Sequence, residues 1–224
     1  MRMSELSERS GVSIATIKFY LREKLLPPGE ATSPNQSTYG EAHVDRLRLV
    51  RALTEVGGLS VAAVRRVLAA IDDPALPLDW AFGIAQQAVS SDAGGSGALA
   101  ADDEPARGRS VLAALVSERG WTAGADNPGR AAAARVIDAY AALGYENLVD
   151  VLPAYADAAE IVARADLAAV KAQGGRADMV ETVVIGTVLG DSLLAGLRRI
   201  AQEHVSNEVF PAPTGTGTGT EEAS

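Results

Sequence analysis

From Ser13 to Arg22 the chain reads SIATIKFYLR, placing the hydroxyls of Ser13 and Thr16, the rings of Phe19 and Tyr20, and the cations Lys18 and Arg22 within one short segment. Hydroxyls, a phenol and cations suit phosphate oxygens, and a long basic side chain can reach the acceptor edge of guanine. That chemistry is recognition rather than catalysis, and the rest of the sequence agrees. No cysteine occurs in the 224 residues, which removes disulfides, thiolate metal sites, iron-sulfur clusters and cysteine nucleophiles. The two histidines, His43 and His204, are far apart, so an imidazole-built metal or acid-base site is not expected. Glu41, His43 and Asp45 make an E-x-H-x-D run, but helical residues two apart do not share a face. With no nucleophile-base or paired-carboxylate constellation in view, an enzyme is not expected, and neither is a cofactor.

Such a recognition segment has to be held by helices. Met3 to Arg9 reads as a short helix with Met3 and Leu6 inward, and Ser10-Gly11 supplies a turn that glycine can close. Ser13 stands where an N-cap is wanted, and Ile14, Ile17 and Leu21 then recur at steps of three and four as an inward stripe. Ala15, Thr16, Lys18, Phe19 and Arg22 are left on the outer face. Two short helices around a tight glycine turn make a helix-turn-helix, whose second helix lies in a major groove. Pro27-Pro28 stops that helix, and the polar GEATSPNQSTY that follows reads as an exposed loop or small β-wing. Val44, Leu47, Val50 and Leu53 then face inward on a helix that carries Arg46, Arg48 and Arg51 elsewhere. Gly57-Gly58 breaks it, and Ser60 caps a fourth helix with Val64, Val67, Leu68 and Ile71 on one stripe.

Charge is divided along the chain. The net −9 resolves into +3 over residues 1–71 and −12 over the remainder, a split that suits a nucleic-acid-facing segment joined to an acidic body. Charge alone equally suits two helical domains with unequal surfaces. The opening MRMSELSERS is polar where a secretory peptide needs an apolar region, and no membrane span is expected, so the cytoplasm is the expected location.

The first third of the chain resembles the winged helix-turn-helix domain of MerR-type bacterial transcriptional regulators. The family's Ile-Gly-Glu-Leu-Ala is matched by Met3 to Ser7, its Gly-Val by Gly11-Val12, its Thr-Ile-Arg-Tyr-Tyr-Glu by Thr16 to Leu21, and its Gly-Leu-Leu-Pro by Lys24 to Pro27. The resemblance implies that Ser13, Thr16 and Lys18 face the groove and that Tyr20 touches the phosphate backbone. Two departures matter. Lys18 replaces an arginine and loses its bidentate fork. In the wing, Gly-Tyr-Arg-x-Tyr becomes Asn35-Gln36-Ser37-Thr38-Tyr39, so Ser37 stands in the arginine's place, with Arg22, Arg46 and Arg48 available to compensate. Tyr20 and Tyr39 are equally open to a packing role, as is Phe19 beneath the wing. Arg65 and Arg66 read as a solvated face.

The whole chain is expected to be mainly α. A winged helix-turn-helix DNA-binding domain over 1–71 leads through a connector over 72–109, with a short helix at Trp80 to Ser90 and a mobile loop, to an all-helical effector and dimerisation domain over 110–210. A disordered tail occupies 211–224. Helices are expected at Ser110 to Arg119, Arg130 to Leu143, Glu146 to Ala172 with a bend at Pro153, and Ala177 to Val205, an order similar in pattern to TetR-type effector domains. The last is apolar nearly all round and carries Gly186 and Gly190, whose spacing permits close helix approach; a central core helix and a dimer interface are both open to it. Trp80, Trp121, Tyr140, Tyr145 and Tyr155 are candidates to line a site for a small apolar effector, or simply fill the core. Taken with the resemblance, these features imply a homodimer on a pseudo-palindromic promoter, distorting its spacer for RNA polymerase. The alternative is a small-molecule binding or sequestering protein whose DNA-binding domain is vestigial.

Overall fold

The computed structural model describes residues 1–33, 36–93 and 106–210. Expectations for the remainder, the wing tip at Asn35, the loop residues 94–105 and the tail at 211–224, lie outside the described residues. Helices α1 (Met3–Ser10) and α2 (Ile14–Arg22) come first, then strands β1 (Glu30–Ser33) and β2 (Gln36–Thr38), then α3 (Glu41–Arg51) and α4 (Val61–Ile71). Beyond them lie α5 (Leu78–Ala93), α6 (Ala106–Glu118), α7 (Pro128–Ala142), α8 (Leu152–Lys171) and α9 (Arg176–Val209). The fold is mainly α, with one two-stranded antiparallel sheet among the described residues.

Local chemistry accounts for the α1–α2 turn. Gly11 closes α1 at φ 68°, in the left-handed region that suits glycine. The buried Ser10 hydroxyl donates to the Leu6 carbonyl at 2.6 Å and accepts from the Val12 amide at 3.3 Å, so it bridges the turn. Ser13 then caps α2, accepting from the Thr16 amide at 3.1 Å, and Ser60 caps α4 through the Ala63 amide at 3.3 Å. Arg51 leads from α3 into a π-turn over Ala52–Val56, which ends at Gly57. Leu6, Ile17, Leu47, Val50, Leu53, Val64 and Val67 form the apolar core that holds these helices together.

The same core receives residues from far along the chain. Ala85 and Ala88 of α5 and Val184 and Val188 of α9 pack into it. Helix α9 therefore spans from the first helices to the C-terminal half. Among the described residues it is the one helix long and apolar enough, by length and composition, to cross a membrane, where the sequence suggested none. Its Val180, Val183, Val184 and Val188 are buried against protein, whereas Leu193, Leu197 and Ile200 are exposed.

Several expectations for the C-terminal half change in detail. Pro153 does not bend a long helix; it occupies the first turn of α8, where its missing amide costs nothing, and a separate 3-10 turn covers Glu146–Leu148. Helix α5 reaches from Leu78 to Ala93 and is a core element rather than a short connector helix. Gly186 and Gly190 bring no other helix close, since nothing lies within 4 Å of a Cβ built on either. They open onto a cavity of about 680 Å³ between α5, α8 and α9. The aromatic residue on that cavity is Phe82. Trp80 lines a neighbouring one beside Arg66 and Asn127. Trp121 donates its indole N–H to Glu160 at 3.3 Å, the Tyr155 hydroxyl accepts from Arg198 at 2.6 Å, Tyr145 is exposed, and Tyr140 is half-buried. None of these four lines either cavity.

Candidate nucleic-acid interface

The recognition helix and the wing meet along a groove because the wing base is fastened to the start of the chain. The β1–β2 ladder pairs Glu30 with Thr38 and Ala31 with Ser37. At its open end the Tyr39 amide donates to the Met1 carbonyl at 2.9 Å, and the Met1 amine donates to the Tyr39 carbonyl at 2.8 Å. Gly29 has no room for a side chain, since a Cβ there would lie 2.6 Å from the Thr38 carbonyl oxygen and 2.8 Å from the Tyr39 ring. The wing thus lies tightly against its own base.

The groove between α2 and the wing, about 460 Å³, gathers Arg2, Ile14, Lys18 and Ser37. Arg2 and Lys18 are exposed and have no ion-pair partner among the described residues. Two cations that share a groove with hydroxyls suit an anionic backbone. Ser13 is exposed and Thr16 half-buried, and their hydroxyls lie 2.8 Å apart, each engaged with the other at the start of the helix. A helix N-terminus of this kind presents backbone amides and a positive dipole end to phosphate.

The remaining expected residues are placed less evenly. Phe19 is half-buried and packs against the core, with the Arg22 guanidinium 5.3 Å above its ring. Arg22 itself is exposed, 3.6 Å from Glu23. Tyr20 and Tyr39 are core residues, 8% and 7% exposed, so their rings pack the helix and the wing. The Tyr39 ring meets that of His43 edge-on at 5.2 Å. Arg46 is largely buried and pairs with Asp72 behind the wing, while Arg48 is exposed and lies 3.4 Å from Asp45. None of the three α3 arginines shares the groove with Lys18 and Ser37.

Two groove residues escaped the sequence reading. Ile14 was assigned to the inward stripe, but at the first position of α2 it is 41% exposed and lines the groove. Arg2 precedes α1, where no periodic pattern could place it; the only signal was its charge.

Residues 1–71 match the family model described as MerR HTH family regulatory protein. The mercuric resistance operon regulatory protein of Bacillus cereus is 31% identical over 71 residues, which cover 32% of this chain and 53% of that protein. Heavy metal-dependent transcription regulator 2 of Rhizobium meliloti (strain 1021) is 36% identical over 69 residues, covering 31% of this chain and 46% of that protein. The chain spans about half the length of the curated relatives it matches. A crystal structure of a proposed transcriptional regulator from Streptomyces coelicolor A3(2) superimposes at a TM-score of 0.66 with 34% identity, over 96% of this chain and 100% of that one. Residues 1–71, with their helix-turn-helix and wing, are therefore a MerR-family DNA-binding domain.

Proposed function

We propose that the protein is a cytoplasmic, DNA-binding transcriptional regulator that acts as a homodimer on a pseudo-palindromic promoter. The observation that carries this reading is the α2–wing groove, in which Arg2 and Lys18, without ion-pair partners among the described residues, stand beside Ser37 at the outer face of a capped helix. In it α2 enters the major groove, Ser13, Thr16 and Lys18 approach base edges or the adjoining phosphates, and Arg22 and Arg48 reach the flanking backbone. Ser37 brings the wing to the phosphates, with Tyr39 holding the wing base from within the core. Distortion of the promoter spacer, to bring polymerase-binding elements into register, follows from the family resemblance.

The second copy is assigned to the far half of α9. Leu193, Leu197 and Ile200 recur at steps of four and three, and all are exposed. Such a seam suits a like helix across a two-fold axis, which would set two recognition helices on one face of the duplex. The metal in the names of the relatives is not carried over to this cysteine-free chain; the C-terminal helices take a small effector instead.

A mobility shift on the DNA upstream of its own gene, at two salt concentrations, tests the reading. Specific retention that weakens with salt is expected, and Lys18→Ala should flatten the slope of log K against log salt by about 0.9 for its one phosphate. Ligand binding without any salt-sensitive DNA affinity would overturn the proposal in favour of a sequestering module.

A further inference from the structure

We propose that α9 pairs with α9 of a second copy in antiparallel register about a two-fold axis level with Ala195, so that the partner's Ile200 seats on Gly190 in the cleft between α5, α8 and α9. The pairing rests on the homodimer proposed above and gives it a direction and a register.

Spacing comes first. Gly186, Gly190, Leu193, Leu197, Ile200 and His204 follow one another at steps of four, three, four, three and four, the repeat that holds one strip of a helix against a partner helix. Three residues before Gly186, Val183 lies in the core at 1% exposure, whereas Leu193, Leu197 and Ile200 are 64%, 53% and 67% exposed. The strip therefore leaves the protein's own core at the glycines and continues as large aliphatic side chains in solvent, a run that marks an interface rather than a free surface.

Shape decides the direction. A two-fold axis at the height of Ala195, midway between Gly186 and His204, sets Leu193 against the partner's Leu197, Gly190 against the partner's Ile200 and Gly186 against the partner's His204. Leucines then meet at the centre, and each glycine receives a larger side chain. The room is there: nothing lies within 4 Å of a Cβ built on Gly186 or Gly190, and the cleft they line measures about 680 Å³, with Phe82 of α5 and Val162 and Leu167 of α8 as apolar walls. In a parallel pair the two copies of Gly190 would face each other and leave that room empty.

Charge selects the same direction. Asp191 lines the cleft with α8, and Arg198 donates to the Tyr155 hydroxyl of α8 at 2.6 Å, so both stand on the α8 flank of the strip. A two-fold antiparallel pair keeps that flank against its own copy, which brings Asp191 level, to within one residue, with the partner's Arg198. A parallel pair would instead oppose Asp191 to the partner's Asp191 and Arg198 to the partner's Arg198, like charge on like. The second copy thereby supplies one wall of the cleft, and a molecule held there touches both chains.

The absence of cysteine from the chain makes disulfide trapping a clean test. Across the proposed axis, position 190 is level with the partner's position 200, whereas 190 and the partner's 190, or 200 and the partner's 200, are about 15 Å apart along the helices, beyond the roughly 7 Å between Cα atoms that a disulfide spans. The full chain carrying Gly190→Cys with Ile200→Cys, oxidised with copper phenanthroline, should run as a covalent dimer on a non-reducing gel, while each single variant stays monomeric there. Gly190→Leu should keep its helix content, since its side chain enters open space and leucine is the better helix former. It should weaken the dimer about tenfold or more in sedimentation by overpacking the partner's Ile200, and Ile200→Ala in the same chain should restore most of the loss. Single variants that cross-link as readily as the double, a double variant that does not cross-link, or a Gly190→Leu dimer as tight as the parent would overturn the pairing. Sedimentation of the parent chain separates the two levels: a dimer with the wrong cross-links overturns the register alone, whereas a monomer overturns the homodimer with it. No DNA enters any of these measurements, so a failed mobility shift leaves the pairing standing.

Discussion

Replacing Gly57 by alanine should loosen α9 from the DNA-binding domain, and the size of the effect follows from the geometry. Gly57 sits at φ −75°, ψ −14°, an ordinary helical conformation, so alanine meets no backbone strain there. What it meets is protein: its Cβ would lie 2.5 Å from Val188 Cγ1 and 2.8 Å from the Leu53 carbonyl oxygen. Val188 is β-branched on a helix and holds essentially one rotamer, so the valine cannot swing aside and α9 has to give way. Overpacking of this kind costs about 1–3 kcal/mol, or about 2–4 °C in Tm for each kcal/mol at this chain length. Val188→Ala alone should cost about 1–2 kcal/mol through its lost methyl groups. It also removes the very atom that alanine 57 strikes. The double variant, measured by urea unfolding against both singles, should therefore fall short of the summed cost by about 1 kcal/mol. Strict additivity, or a Gly57→Ala protein as stable as the parent, would refute the docked contact between α9 and the π-turn.

Three further outcomes follow from other parts of the molecule. Burial and the neighbouring Asp166, the only other titratable group on the cavity lining, raise the folded-state pKa of Asp191 above its unfolded value. The native state thus holds the extra proton between those two values, and the stability this contributes is lost as pH rises through the folded pKa. Asp191→Asn should flatten that dependence and raise Tm at neutral pH by about 1–3 °C, the gain staying below about 1 kcal/mol once solvent at the cavity rim is allowed for; an unchanged melting profile from acid to neutral pH would count against a desolvated carboxylate. Leu197→Asp with Ile200→Asp places charge in the exposed α9 seam, and sedimentation should show monomers, whereas a persistent dimer would move the interface elsewhere. Ile14→Ser takes a methyl-rich side chain out of the groove and should reduce preference for one thymine-containing position by about 1 kcal/mol or more in competition binding; loss spread evenly over all sequences would make Ile14 a packing residue.

How far the sequence discloses this structure depends on the reach of each interaction. Ser13 and Ser60 were legible as caps because a cap bonds an amide three residues on, and the stripes of α3 and α4 were legible because helical period and burial coincide. Ile14 obeys the same period yet faces outward, since periodicity tells which residues share a face and not how far along the helix that face is covered. Arg46 reads as an outer cation until Asp72, on the end of another helix, draws it behind the wing. Truncation at residue 173, a natural test of dimerisation from sequence alone, would remove Val180, Val183, Val184 and Val188 from the core together with the exposed seam. A loss of dimer after that deletion would report unfolding as readily as interface loss, which is why paired aspartates are the cleaner perturbation. Asp166 and Asp191 carry no local signal of any kind, because their relation exists only once α8 and α9 are side by side.

What remains is how a ligand between the C-terminal helices could alter an affinity set by α2. Helix α9 runs for 34 residues, about 51 Å, yet its working parts are close together. Val188 and Ser192 hold the π-turn that ends α3, Gly186, Gly190 and Asp191 face the cavity, and Leu193, Leu197 and Ile200 face outward along the next two turns. Coupling between such neighbours needs no extended pathway: a ligand that shifts α9 by a fraction of an ångström changes the packing at Gly57 and the angle of the seam at the same time. In a two-fold dimer, the seam angle sets the spacing of the two recognition helices, and a coupling of only about 1–3 kcal/mol is enough to change DNA affinity five- to hundredfold. The contact between Gly57 and Val188 has to be tight for that to work, because a loose joint would absorb the shift before it reached the DNA-binding helices.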